Sequence, residues 1–240
     1  MTFFDGVIAF FEYAGRSLYY CLIHQNRWIY FLNGAKITII ISLLSVLIGT
    51  VLGVLLALSK ISTSRNFFMR IIRGFSKAFI DVIRGTPTVV QLLIIYFVIF
   101  SGVDLDRFLV AVIAFSINAA AYIAEIIRAG VLSIDVGQTE AGRSLGLSHT
   151  QTMSRIIMPQ AVKNILPALG NEFITLVKET SVASFIGTAE LVHVQKTITS
   201  ITYDGIWPYL IIGVIYYIIV KILTVFLNMF ERWLRKSDAR

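Results

Sequence analysis

Apolar residues run through this chain in long uncharged blocks, not in the short alternating or amphipathic patterns of a water-facing domain. Ile37 to Leu58 is an unbroken stretch of Ile, Leu, Val and small residues, and about 20 apolar residues suffice to carry a helix across hydrocarbon. Gly85 to Val103 is also uncharged and opens near Pro87, which a first helical turn tolerates. After a polar break at Asp104, Asp106 and Arg107, Phe108 to Ala124 predicts a third span hairpinned on the second. Gly205 to Phe230 holds one charge, Lys221, with Pro208 near its start. Asn164 to Val194 is interrupted by Glu172, Lys178 and Glu179, so its polar face must meet protein or a water-filled path. The step Thr180–Ser181 is a plausible helix break there. The pattern predicts an all-α integral membrane protein with five transmembrane helices. They fall at about 33–58, 86–103, 108–127, 164–187 and 206–230, within a unit covering 29–231.

Residues 1–28 read as an external amphipathic segment. At about 100° per residue, Asp5, Glu12 and Arg16 share one arc while Phe3, Val7, Phe10, Phe11, Leu18 and Cys21 lie opposite. The other reading is an apolar tail packed on the spans without membrane contact. Acidic residues inside the apolar part and the lack of a basic start argue that the segment is retained and is no signal peptide.

Composition narrows the class. Hydrophobic residues make up 57% and charged residues 15%, against about a quarter charged in soluble domains. A large soluble enzymatic domain is thereby excluded. Cys21 is the single cysteine, so neither an internal disulfide nor a Cys/His zinc cluster can form. The net charge of +7 takes its meaning from placement. Lys60, Arg65, Arg70, Arg73, Lys77 and Arg84 lie between spans one and two. Arg128, Arg143, Arg155 and Lys163 lie between three and four, and Arg232, Arg235, Lys236 and Arg240 follow five. Cations gather in cytoplasmic segments. The N-terminus is therefore expected outside and the tail 232–240 in the cytoplasm, and the basicity makes no case for nucleic acid.

The connection at about 128–163 is longer than a helical hairpin requires. Residues 139–145 and 148–157 have helix-compatible composition, and Gly146 between them can take the positive φ of a sharp corner. Within it stand Glu140-Ala141-Gly142, three residues, Gly146, nine residues, Ile156, one residue, then Met158-Pro159. This spacing resembles the EAA motif of permease subunits of bacterial ABC importers, with Gly142 in place of Ala and Met158 in place of Leu. Arg84-Gly85-Thr86-Pro87 with Gln91-Leu92, Asn118-Ala119-Ala120-Ala121-Tyr122 with Glu125 and Arg128, and Lys178-Glu179-Thr180-Ser181 are similar to segments of the polar amino acid (His/Glu/Gln/Arg-type) permease family. The resemblance covers roughly Leu32 to Phe230.

That resemblance implies a type I ABC importer permease-like fold in a bacterial plasma membrane. It implies a second permease copy or a homologous permease, two ABC ATPase subunits, an extracytoplasmic amino acid binding protein and surrounding membrane lipid as partners. The coupling role falls on Glu140, Ala141, Gly142, Gly146, Ile156 and Pro159, which would seat in a groove of the ATPase. The chain has no Gly-x-x-x-x-Gly-Lys-Ser/Thr loop, so no cofactor is expected on it, and ATP and Mg are expected on the partner ATPase. A zwitterion needs polar groups of both signs along its path, and the candidates are Gln91, Asn118, Asn171, Lys178, Glu179, Thr180 and Ser181. Interhelical hydrogen bonding is the competing role for each. Gly49 and Gly53 predict close helix packing. Glu190 and His193 make a single Glu-x-x-His, too few ligands for a carboxylate metal site. An ion-coupled secondary transporter is the alternative function; it favours an inverted repeat, which the chain does not show.

Overall fold

The structure, a computed structural model, describes residues 3–62 and 66–236. Arg65, Arg240 and the rest of the tail beyond Lys236 lie outside them, as does the side chain of Phe3. Helix starts along the chain are written by side chains that accept from otherwise unpaired amides. Asn66 caps α3 (Phe67–Arg84), Asp106 caps α5 (Arg107–Leu132), Asp135 caps α6 (Val136–Ser144) and Glu190 caps α9 (Leu191–Thr202). Asp204 does the same for α10 (Trp207–Arg235), accepting from Ile206 and Trp207 at 2.9 and 3.0 Å. The remaining helices are α1 (Phe3–Leu18), α2 (Trp28–Ile61), α4 (Thr88–Ile94), α7 (His149–Thr152) and α8 (Met158–Glu179). Among the described residues there is no strand.

The central contact joins α2 and α5, which run parallel. Ser45 donates to the carbonyl of Val112 at 3.2 Å, and Lys60 pairs with Glu125 at 3.3 Å. Between them Gly49 faces Ser116, Ala119 and Ala120, and Gly53 faces Ala120 and Ile123. A Cβ on Gly49 would stand 2.7 Å from that of Ala119, and one on Gly53 would stand 3.0 Å from the Ala120 carbonyl oxygen. Only glycine lets the backbones come this close. α8 runs against α5: Gly130 packs on Ile165 and Ala161, Asn164 donates to Ser133 at 2.9 Å, and Thr188 reaches the Arg107 carbonyl at 3.4 Å. α10 returns parallel to α2, with Leu227 on Gly170 and Tyr216 donating to Glu190 at 3.1 Å.

Among the described residues three helices are long and apolar enough to cross a membrane: α2, α5 and α10. The second crossing is not the straight helix expected at 86–103. Pro87 stands at the N-cap, and α4 with its π-helical turn Ile95–Ile99 stops after twelve residues. The preceding connection is itself helical, as α3, and bends by 109° into α4. The physical reason is Gly85-Thr86-Pro87: proline has no N–H for the ladder and disfavours helix at the residue before it. The expected loop 128–163 is also mostly helical. α5 continues to Leu132, and α7 runs through the π turn Met153–Ile157 into α8, which begins at Met158 and not at 164. The helical run does not continue to Val194: α8 tightens into a 3-10 segment Thr180–Ile186, stops at left-handed Gly187, and α9 begins separately.

Ahead of α2, α1 continues as a π turn Tyr19–Ile23 and a short 3-10 turn, with positive φ at Gln25 and Asn26. Cys21, Phe31, Leu191 and Ile198 form a small buried cluster there. Asp204 ties the segment down by bonds from Tyr13 and Ser17.

Two outcomes follow. Gly53→Val overpacks the α2–α5 seam and should cost about 1–3 kcal/mol, lowering the melting temperature of detergent-solubilised protein, while Gly74→Ala, with nothing within 4 Å of its Cβ, should not. Burial alone would raise the Asp204 carboxyl, but the bonds from Ile206, Trp207, Ser17 and Tyr13 outweigh it and hold the group below the usual carboxylate value. The stabilisation is then full above about pH 4 and lost as pH falls through the lower folded value. Amide exchange in α1 should rise on that acidification, and Asp204→Asn should abolish the dependence.

Candidate functional site

The corner of the long connection is built from backbone chemistry. α6 ends in a Schellman motif: Gly146 at φ +83° donates to the Arg143 carbonyl at 3.0 Å, and Leu147 donates to the Gly142 carbonyl at 3.1 Å. One residue later a capping box starts α7, with Gln151 N–H donating to the Ser148 hydroxyl and Ser148 N–H donating to the Gln151 side chain. The chain thus stops one helix and starts the next within four residues. Gly142 is buried against α7 and the π turn; its Cβ would stand 2.8 Å from Thr152 Cγ2 and 3.0 Å from Ile156 Cδ1. Gly142 and Ile156, 14 residues apart, are therefore one contact, and the glycine that departs from the motif's alanine is what the close packing requires. Glu140, Ala141 and Pro159 are exposed, and so are the apolar Val136 and Leu145, the latter 81%. The result is a rigid knob that exposes Val136 and Leu145 beside Glu140.

Above the knob, Glu125 accepts from Lys60 at 3.3 Å and from Arg128, binding the ends of α2 and α5 together. Ser59 donates to Ser76 at 2.7 Å, adding α3 to the same joint.

The expected path residues divide. Gln91 and Asn118 are buried and bonded to each other at 2.9 Å, and the Gln91 amide also donates to the Ile83 carbonyl at 2.7 Å and to the Thr86 hydroxyl at 2.7 Å. They staple the α3–α4 bend to α5, and the Gln91 amide donors and carbonyl are engaged in doing so. Thr180 is buried and donates to the Val177 carbonyl at 2.8 Å, and Asn171 donates to Pro167 of its own helix at 3.2 Å. Lys178 is exposed and Ser181 half-buried, and both line an open cavity of about 360 Å³ with Tyr209 and Tyr216. Glu179 points elsewhere and bonds Thr88 at the start of α4. Glu172, about two turns below on α8, lies in the field of Arg84 and Glu179.

Two members of this region carried no role in the sequence. Tyr216 is one aromatic among many in an apolar block, yet its hydroxyl bonds Glu190, Thr38 and Thr180. Glu190 is fully buried, accepting from Val192 and His193 amides at 2.8 and 2.9 Å. Its place just before an apolar helical run is a cap signal, weakened because glutamate is not a preferred cap residue.

These elements recur in known proteins. Residues 49–236 match the family described as binding-protein-dependent transport system inner membrane component. The chain is 42% identical over 211 residues to the arginine transport system permease protein ArtQ of Bacillus subtilis, covering 87% of this chain and 94% of that one. It is 38% identical over 228 residues to the L-cystine transport system permease protein TcyB of the same organism, covering 94% and 95%. A crystal structure of an amino acid ABC transporter with histidines superposes with a TM-score of 0.80 at 43% identity, over 85% of this chain and 93% of that one. The MetNI methionine ABC transporter, inward facing, matches at 0.72 and 19% identity, over 86% and 97%, and shares the fold. With a family match spanning most of its length, relatives aligned nearly end to end and the knob of the resemblance formed in three dimensions, the chain belongs to the binding-protein-dependent transport system inner membrane component family.

Proposed function

We propose that this chain is the transmembrane permease subunit of an ATP-driven ABC importer of polar amino acids, multi-pass in a bacterial inner membrane. The observation that carries the reading is the family match over residues 49–236 together with the preformed, exposed knob at Glu140–Gly146. Relatives named for arginine and cystine transport support an amino acid substrate, and the same relatives favour ATP over an ion gradient as the energy source. ATP and Mg belong on separate ATPase subunits, whose groove receives the knob; the exposed Val136 and Leu145 offer apolar contact there.

The ends of α2, α5 and α10 and the start of α8 lie on one side of the bundle, and Lys60, Arg128, Arg143, Arg155 and Arg232 gather at that side. By the positive-inside rule this side is cytoplasmic and α1 lies outside. The chain then makes five crossings, with α3–α4 as the broken second and α8 with its 3-10 extension as the fourth. A second permease covers the exposed face of α10, where Tyr217, Phe226 and Trp233 stand open, and a binding protein delivers substrate to the outer end. Within the path, the cavity bearing Lys178, Ser181 and Tyr216 is suited to receive a carboxylate, and Glu172 supplies the opposite sign deeper down.

Reconstitution in vesicles with the partner ATPase and binding protein should give uptake that requires ATP. Uptake driven by a proton or sodium gradient alone would overturn the reading. In that assay Lys178→Ala should lower uptake severalfold with membrane insertion unchanged; lost expression with normal transport by the surviving protein would assign it a structural role. Gly142→Val should push α6 off Thr152 and Ile156 and uncouple ATP hydrolysis from uptake, read as hydrolysis that no longer responds to the loaded binding protein.

A further inference from the structure

α3 enters the transport scheme so far only as the first arm of the broken second crossing. At about 100° per residue, Arg70, Arg73, Lys77 and Arg84 fall on one narrow arc of it, and its one acidic residue is Asp81. Ile72, Ser76, Ile80 and Ile83 pack toward α2 and α5. A third arc, on the far side from the cations, is apolar and open: Phe67 is 74% exposed, Phe68 65%, Ile71 54%, Phe75 67% and Val82 61%. A helix with a packed flank, a basic arc and an exposed apolar arc is matched to an interface between water and hydrocarbon.

Its direction agrees. α4 climbs along α5 from the Gln91–Asn118 bond toward the start of α5, and α3 is bent from it by 109°. α3 therefore lies across the bundle and not along it. It lies at the end where α2 finishes, since Ser76 bonds Ser59 and Arg73 donates to the Ser62 carbonyl. Beneath it opens an apolar cleft of about 390 Å³, bounded by Leu52, Leu55, Phe75, Phe79 and Ile117. Charge selects the occupant: a face with four cations and one acid beside an apolar cleft suits an amphiphile with a negative head, and headgroups of the cytoplasmic leaflet supply one.

We propose that α3 lies in the cytoplasmic leaflet as an interfacial helix, binding anionic phospholipid headgroups through Arg70 and Lys77 and their acyl chains through the Phe67–Phe75 arc and the cleft below it. This rests on the orientation given above. Because α3 leads through Gly85–Pro87 into the Gln91–Asn118 staple, bound lipid would hold the bend that positions α4.

The test uses the full chain in nanodiscs of phosphatidylcholine mixed with phosphatidylglycerol, counting retained lipid by native mass spectrometry. Retention of phosphatidylglycerol should fall about tenfold in the double variant Arg70→Gln/Lys77→Gln, and in the unaltered chain it should fall as ionic strength rises. Equal retention by both chains, or retention insensitive to salt, overturns the inference. A spin label at Phe75→Cys should be relaxed by oxygen and not by an aqueous nickel chelate; dipolar broadening between two such labels would place a second copy of the chain on this face and overturn it. An impermeant thiol reagent applied outside intact cells should leave Lys77→Cys untouched. Labelling there would overturn the orientation itself, whereas lost retention differences with Lys77→Cys still protected would overturn the lipid site alone.

Discussion

The close parallel contact of α2 and α5 is the constraint from which the rest of the architecture follows. Two parallel helices in one bundle oblige the chain between them to return to its starting side, so residues 62–106 must cross the same distance in reverse. The glycines that make the contact close, Gly49 and Gly53, leave a groove too narrow for a third straight helix between them. The return is made at the side, by α3 lying across and α4 rising, with Gly85-Thr86-Pro87 as the corner. A broken crossing exposes backbone polar groups, and Gln91 answers this by donating to Ile83 and to Thr86 while Asn118 of α5 holds its carbonyl. Gln91 and Asn118, which look like part of a polar path in the sequence, are thus the price of the parallel seam.

The same seam explains where charge can be stored. At the end of the seam where α2 finishes, Glu125 bridges Lys60 of α2 and Arg128 of α5, with all three side chains mostly shielded. An isolated pair on a surface contributes little, but removing one member of this trio leaves a charge in a crowded joint that also includes Ser59 and Ser76. The joint makes the ends of α2, α3 and α5 move as a unit. Only three residues, 133–135, separate α5 from α6, so the knob is mounted on that unit and is no loose loop.

Much of this was legible in the sequence, for physical reasons that differ by element. α2, α5 and α10 were visible because lipid tolerates no charge on a spanning surface, so the absence of charge marks them. The positive φ of Gly146 was visible because two helix-compatible stretches met at a glycine. α3 was not, since its cations at Arg70, Arg73, Lys77 and Arg84 read as loop charge when counted along the chain and as one face only when wound on a helix. The packing of Gly142 on Thr152 and Ile156 and the bonds of Tyr216 to Glu190 and Thr38 could not be read, because they depend on which helices meet. Gln91 and Asn118 were found as polar residues at the right depth, but the sequence does not say whether such a residue faces a path or a backbone carbonyl.

The remaining link lies in α8, which reaches from the knob to the cavity lined by Lys178 and Ser181. Its lower end is notched into α5 where Ile165 fills the space over Gly130, and its middle is notched into α10 where Leu227 fills the space over Gly170. Pro167 stands between these two notches and supplies no N–H to the turn beneath it. Sliding α8 along either neighbour would drive a side chain into backbone, so α8 cannot answer a displaced knob by translation. It can rotate or flex at Pro167, the point where its ladder is weakest. Lys178 and Ser181 lie three turns above that proline on the cavity wall, so a small angular change at the knob is enlarged at the cavity in proportion to the length of helix between them. The two glycine notches therefore convert a displacement of the knob into a tilt of α8 at the cavity wall.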